Sequence, residues 1–398
     1  MDSGALRFLS DDERDILALV DDFVETKVRG HVRELEQDDV YPHDLIEQMK
    51  TLGCFGLLIP EEYGGVGVSA ACFALVTETL ARGWMSLAGA VGGHSVMSYL
   101  LREFGTDQQK QTYLPAMADG SVRMTMALTE PSGGSDLQAM RTEARLDAAR
   151  NAYVLNGEKT WISNARRSAR IAVLCKTDPQ AQPAHRGMSV LLVGEHPGLT
   201  VSGNLPKLGY RGVEACTVTF DAVEVPDDDV VGGAPGAGWR QMMQSLEVGR
   251  VQVAARAVGV AQASLDAALG YSQERESFGK PIWKHQAIGN YLAQMATKIR
   301  AARLLTLDAA QLIDAGERAD MEAGMAKLFA SEVAVAASFD AMRIHGAYGY
   351  SKEYDVERFY RDAPLMVIGE GTNEIQQDVI ARQLIGRAQA TSRRGARR

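Results

Sequence analysis

The chain reads as an α+β multidomain protein, with an N-terminal helical domain, a central antiparallel β sandwich or barrel, and a C-terminal four-helix bundle. Three observations predict this. At 398 residues it is too long for one compact core, so two or three associated domains are expected. Short β-prone runs separated by turn residues cluster in the middle of the chain. On both sides of them apolar residues recur at helical spacing.

The N-terminal domain is assigned to 1–122. It opens on a capping box, Ser10 to Glu13, ahead of Ile16, Val20 and Phe23, the apolar stripe of an amphipathic helix. Residues 43–53 and 67–104 also read as helix, interrupted by a loop through Pro60 and Gly65. The β domain, 123–233, contains Tyr153 to Leu155, Ile171 to Cys175, Met188 to Val193 and Cys216 to Phe220, with Asn156-Gly157 as a hairpin signal. Spacing this short leaves no room for crossover helices, which is why the sheet is expected to be antiparallel. In 234–389 the seam Ile288, Leu292, Met295, Ile299 and Ala302 marks a packed bundle. Residues 390–398, with Arg393, Arg394, Arg397 and Arg398, are assigned as a disordered basic tail without function.

Composition excludes several functions. Apolar residues make up 46% and charged residues 23%, as in ordinary soluble globular proteins. A net charge of -9 argues against a nucleic-acid surface, which needs clustered Lys and Arg. Cys54, Cys72, Cys175 and Cys216 lie far apart without metal-ligand spacing, so reduced core thiols and no metal are expected. The first residues show no secretory pattern and no apolar run is long enough to span a bilayer, so a cytoplasmic protein without membrane contact is expected. No βαβ unit and no GxGxxG opening a helix occurs, so any nucleotide cofactor binds outside a Rossmann frame.

Four segments carry candidate chemistry. Leu128 to Asp136 packs hydroxyls, glycines and a proline at the junction into the β domain, the composition of a ligand loop or of a surface turn. Lys159 to Asn164 offers Trp161 for stacking on a flat ring and Ser163 as a donor, although a lone Trp at a strand end also suits a core. Arg275 to Pro281, followed by His285 and Gln286, places a cation and polar groups between two helices. It could meet a pyrophosphate or merely connect the helices. In Ile368 to Gln376 a carboxylate, Glu370, stands between Gly369 and Gly371 before the last helix. Glycine flanks leave room for a substrate and an apolar pocket would raise the carboxyl towards working pH, as a general base requires. Alternatively the helix dipole simply stabilises an acidic residue there.

Together and in this order, these segments resemble the acyl-CoA dehydrogenase family, over about Ser10 to Gln389. Supporting pieces are Pro60-Glu61-x-x-Gly64-Gly65, Gly236-x-Gly238-Trp239 and His345-Gly346-x-x-Gly349-Tyr350. The resemblance implies one FAD per subunit of a homotetramer. Met126, Leu128, Thr129, Gly134 and Ser135 would line the flavin, with Trp161, Ile162 and Ser163 against it. Arg275, Ser277, Phe278, His285 and Gln286 would contact the rest of the dinucleotide. Arg343, Ile344, His345, Gly346 and Ala347 match another such segment, with Arg343 and Ala347 departing from the usual glutamine and glycine. Thr372, Asn373 and Glu374 would close the site.

The resemblance assigns Glu370 as the catalytic base. The isovaleryl-type branch places its base on the helix beginning near Trp239, where this chain has Gly249. Ser135, Glu247, Arg250 and Gly371 match positions near the substrate. The implied reaction is α,β-dehydrogenation of an acyl thioester, with hydride passing to flavin N5 and electrons onward to an electron-transfer flavoprotein. Alternatives are the same chemistry on an acyl-carrier-protein-bound group, an oxidase or desulfinase relative, or a flavin-binding homologue without catalysis. No Arg occurs in Trp84-Met85-Ser86, where glutaryl-type relatives carry one, so that mode of binding a dicarboxylic acyl group is not expected.

Overall fold

The structure, a computed structural model, describes residues 4–395, with side chains described through 389. Helices α1 (Asp11–Phe23), α2 (Val32–Gln37), α3 (His43–Thr51), α4 (Ala70–Phe104) and α5 (Asp107–Ala118) form the first part. The Ser10 capping box is present: its hydroxyl accepts from the Glu13 N–H at 3.2 Å and Glu13 accepts from the Ser10 N–H at 3.0 Å. α1 buries Leu17, Val20 and Phe23, because that stripe faces α4. α4 starts three residues later than the pattern suggests, after Ser69 caps it, and kinks at Trp84.

The central strands are β1 (Met124–Ala127), β2 (Glu143–Asp147), β3 (Ala152–Ser163), β4 (Arg170–Lys176), β5 (Met188–Val193), β6 (Leu199–Val201) and β7 (Ala215–Pro226). They form one curled sheet in the order β1-β4-β2-β3-β7-β6, with β5 paired to β4. Most pairings are antiparallel, as expected, but β1 runs parallel to β4, and β2 meets β4 in parallel at Glu143 and Lys176. Asn156-Gly157 is not a turn. It lies inside β3 at a register shift, where Gly157 has φ +142° and a Cβ would stand 2.6 Å from the Thr142 hydroxyl. Glycine serves close strand approach there, and Asn156 accepts from the Ala222 N–H at 2.9 Å.

The C-terminal part comprises α6 (Gly238–Glu274), a short hairpin of β8 (Glu276–Ser277) and β9 (Lys280–Pro281), α7 (Gln286–Asp314), α8 (Asp320–His345), α9 (Val356–Ile368) and α10 (Asn373–Gly395). α6, α7 and α8 pack side by side, α9 and α10 lie on α8, and α4 packs along α6. The seam forms as read: Met295, Ile299 and Ala302 are buried, with Ile288 and Leu292 packed against that core. α10 continues to Gly395, so residues 390–395 extend a helix rather than a structureless tail. Ala390, Arg393 and Arg394 favour helix propagation, whereas Thr391, Ser392 and Gly395 do not. Arg397 and Arg398 lie outside the described residues. All four cysteines are buried and free. Among the described residues, no helix is long and apolar enough to cross a membrane.

Candidate active site

The ends of β1 and β3 meet at one face. The Thr160 N–H donates to the Thr129 carbonyl at 2.9 Å and the Thr125 hydroxyl to the Ser163 carbonyl at 2.8 Å. This sets the Leu128 to Ser135 loop beside Trp161 and Ser163. A fully buried lysine, Lys159, holds the loop by donating to the Leu128 carbonyl at 2.9 Å and to Glu130 at 3.1 Å. Glu130 also accepts from the N–H groups of Arg141 and Thr142, at 2.7 and 2.9 Å. Burial alone would raise its carboxyl, but these donors and Lys159 hold it down at about 2.

Trp161 stands on a bulge in β3, in a left-handed conformation at φ +61°, with 57% of its surface exposed. A bulky residue in that backbone region is strained, and an exposed indole there gains nothing from the core. Met126 and Leu128 are half-buried near it, Gly134 and Ser135 are exposed, and Ile162 turns its side chain into the β core.

On the opposite side Glu370 also has a positive φ, +53°. Its loop is clamped by a second fully buried lysine. Lys327 of α8 donates to the carbonyls of Val367 and Gly371, at 3.1 and 2.8 Å, and to the Asn373 side chain at 3.0 Å. The Gln376 amide donates to the carbonyls of Glu370 and Gly371, at 3.3 and 3.1 Å, and Asn373 donates to Ser331 at 3.0 Å.

The Glu370 carboxylate points inward with its side chain 12% exposed. Among the described residues its Oε2 has no hydrogen-bond partner, and Oε1 lies 4.0 Å from Nη2 of Arg256. It stands over Gly249, where a Cβ would come within 2.0 Å of Oε2. Positions 249 and 370 therefore address the same space. Burial raises the carboxyl above its ordinary range, partly offset by Arg256, Arg250 and Lys327. A desolvated carboxylate with an unused oxygen is suited to take a proton.

Two side chains connect these halves. Arg256 Nη1 reaches the Tyr210 hydroxyl at 3.4 Å, and that hydroxyl lies against Gly89, whose carbonyl accepts from Asn164, next to Ser163, at 3.2 Å. Ser163 and Glu370, both read from sequence, thus belong to one site. Sequence reasoning did not single out Arg256, Tyr210, Lys159 and Lys327, which the structure places around these segments. A visible signal for Arg256 was a lone cation in the run Val251 to Ala263, which is otherwise small and apolar apart from Gln252 and Gln262.

Most of the other expected residues make contacts away from this link. Arg250 pairs with Asp320, and Glu247 accepts from Arg318 at 2.6 Å and from the Ala319 N–H at 2.9 Å, so both organise the start of α8. At the β8–β9 hairpin Ser277 and His285 are within 3.2 Å of each other, while Arg275 and Phe278 are exposed and Gln286 begins α7. Arg343 pairs with Asp340 and Tyr291, and Gly346 and Ala347 are exposed. Ile344 and His345 turn into the bundle, where His345 stacks on Tyr271 at 4.2 Å. Thr372 accepts from the Ile375 N–H at 3.4 Å at the start of α10, and Glu374 is exposed.

The residues present fit FAD: an exposed, strained indole supplies a stacking surface, with Thr129 and Ser163 hydroxyls beside it and a buried base across Tyr210 and Arg256. Helical, β and helical parts around such a site define a flavin-dependent oxidoreductase. Comparison specifies which one. Residues 10–121, 125–223 and 236–385 match the N-terminal, middle and C-terminal domains of acyl-CoA dehydrogenase. A probable acyl-CoA dehydrogenase of Bacillus subtilis, YngJ, is 40% identical over 382 residues, 95% of this chain and 99% of that protein. Butyryl-CoA dehydrogenase from Megasphaera elsdenii superposes with a TM-score of 0.91 at 34% identity, covering 95% of this chain and 99% of the other. A glutaryl-CoA dehydrogenase from Mycobacterium smegmatis in complex with FADH2 superposes at 0.89 and 28% identity, covering 97% of each. The chain belongs to the acyl-CoA dehydrogenase family, whose members bind FAD.

Proposed function

We propose that the chain catalyses α,β-dehydrogenation of an acyl-CoA thioester to the trans-2-enoyl-CoA, with Glu370 as the base that removes the α-proton. The observation that supports this most directly is the buried Glu370 carboxylate with its free Oε2, aimed over Gly249. FAD, when bound, supplies the acceptor for the β-hydrogen as hydride. The protein's own residues position and exclude. Trp161 and Ser163 present one wall and Glu370 the other, while Lys327 and Gln376 fix the backbone of the base loop. The same reading includes a homotetramer, a cytoplasmic location and electron transfer to an electron-transfer flavoprotein. Carriage of the acyl group by an acyl carrier protein is its rival for the substrate.

The test is anaerobic bleaching of the flavin by a panel of acyl-CoA and carrier-bound acyl thioesters. Glu370→Gln is expected to retain the yellow cofactor and lose substrate-dependent bleaching by several orders of magnitude. Undiminished bleaching in that variant would remove Glu370 from the mechanism.

A further inference from the structure

We propose that the acyl pocket takes a short acyl group ending in a second carboxylate, received by Arg256 and Gln252 of α6. This rests on the dehydrogenation reading above and names its substrate class. Gly249, Gln252 and Arg256 lie three and four residues apart, on one face of the helix. Gly249 underlies the base, so the other two extend from the reacting centre along α6. Opposite them α4 presents glycines. A Cβ at Gly92 would stand 2.2 Å from the Gln252 amide nitrogen, and one at Gly89 would stand 1.7 Å from the Tyr210 hydroxyl. The glycines thus make room for polar groups where an alkyl pocket needs apolar ones.

Those polar groups lack partners. Gln252 is fully buried, yet among the described residues neither its amide nitrogen nor its oxygen has a hydrogen-bond partner. Arg256 is 7% exposed and lies over the Tyr210 ring; among the described residues its Nε is unpaired, and its terminal nitrogens have the long contacts to the Tyr210 hydroxyl at 3.4 Å and Glu370 at 4.0 Å. Buried polar groups without partners are unfavourable, and packing a hydrocarbon tail against them would leave them so. A carboxylate would satisfy them, since it only accepts and matches the two-pronged geometry of a guanidinium. Its distance from the thioester follows from the base. Glu370 must touch the α-hydrogen, and Arg256 is one ion-pair length from Glu370, so the second carboxylate lies only a few bonds beyond. An arginine serving Glu370 alone would not explain Gln252, for which no contact to the base exists among the described residues.

The experiment uses the full-length, FAD-loaded enzyme and compares kcat/KM for succinyl-CoA against butanoyl-CoA and glutaryl-CoA against pentanoyl-CoA, pairs of equal chain length. The wild type is expected to favour the dicarboxylic member of at least one pair by tenfold or more. In Gln252→Leu and Arg256→Met that ratio is expected to fall by about 100-fold. Gln252→Leu removes the amide without touching the base, so it separates recognition from any effect on Glu370. A wild type that prefers butanoyl-CoA and pentanoyl-CoA, or variants that lower both members of a pair equally, would overturn the inference while leaving dehydrogenation intact. Failure of every thioester to bleach the wild-type flavin would overturn both.

Discussion

Placing a single methyl group at Gly249 tests the site without replacing any titratable residue. The Cβ of Gly249→Ala would lie 2.0 Å from Glu370 Oε2, whereas a carbon and an oxygen ordinarily approach no closer than about 3.3 Å. The carboxylate must therefore move by roughly 1 Å, and a displacement of that size at a reacting group lowers the rate by about 100-fold. The next neighbour, Val96, would be 3.4 Å away, an ordinary contact. Stability runs the other way, because alanine is better than glycine inside a helix by about 0.5–1 kcal/mol. The expected result is a Tm equal to or above that of the wild type together with a large loss of kcat in anaerobic bleaching. A variant that keeps its rate within about twofold would show that Glu370 does not act from its place over Gly249.

Three further outcomes follow from the same geometry. Burial raises the Glu370 carboxyl above its ordinary value near 4.5, so the folded protein binds this proton more tightly than the unfolded chain and stability falls as pH rises through that window. Glu370→Gln should therefore raise Tm at pH 7, with the gap closing below about pH 4.5; equal Tm values at pH 7 would contradict the burial argument. Lys327→Met strips three hydrogen bonds from the base loop, a loss of about 3 kcal/mol, and removes a cation that lowers the Glu370 carboxyl. The acid limb of its kcat profile should move to higher pH, and an unmoved limb would count against the electrostatic coupling. Trp161→Ala should change Tm little, because the indole is 57% exposed, yet weaken flavin retention by about tenfold, measured by dialysis and absorbance.

The legible parts of the protein were those carried by contiguous residues. Helical and strand texture place the three regions, and Glu370, Trp161 and Ser163 stand in short segments whose composition is unusual in itself. Asn156-Gly157 misled because the same dipeptide serves a turn or a bulge, and only the approach of Thr142 decides between them. The parallel pairing of β1 with β4 was hidden since the chain returns through β2 and β3 before closing it. Arg256 and Tyr210 are 46 residues apart and meet only when α6 packs under the β domain. Nothing local tells a lysine bound for the interior from one bound for solvent, so Lys159 and Lys327 read as ordinary charges.

Those two lysines explain why the site can exist at all. Trp161 and Glu370 both have left-handed backbones, a conformation that disfavours bulky and branched geometries by about 1–3 kcal/mol and persists only when neighbours enforce it. Near each of them a fully buried ammonium donates to main-chain carbonyls: Lys159 to Leu128 on the loop beside Trp161, and Lys327 to Val367 and Gly371 around Glu370. Burial lowers both ammonium groups, Lys327 to about 8, so neither is there because lysine is stable in the interior. Each offers donors at the end of a long stem, able to reach carbonyls that no backbone N–H faces. The molecule thus carries two unfavourable groups at each wall, a strained residue and a desolvated lysine. Replacing either lysine should consequently loosen only its own wall: flavin retention should suffer in Lys159→Met, and proton abstraction in Lys327→Met, a division that a general loss of packing would not produce.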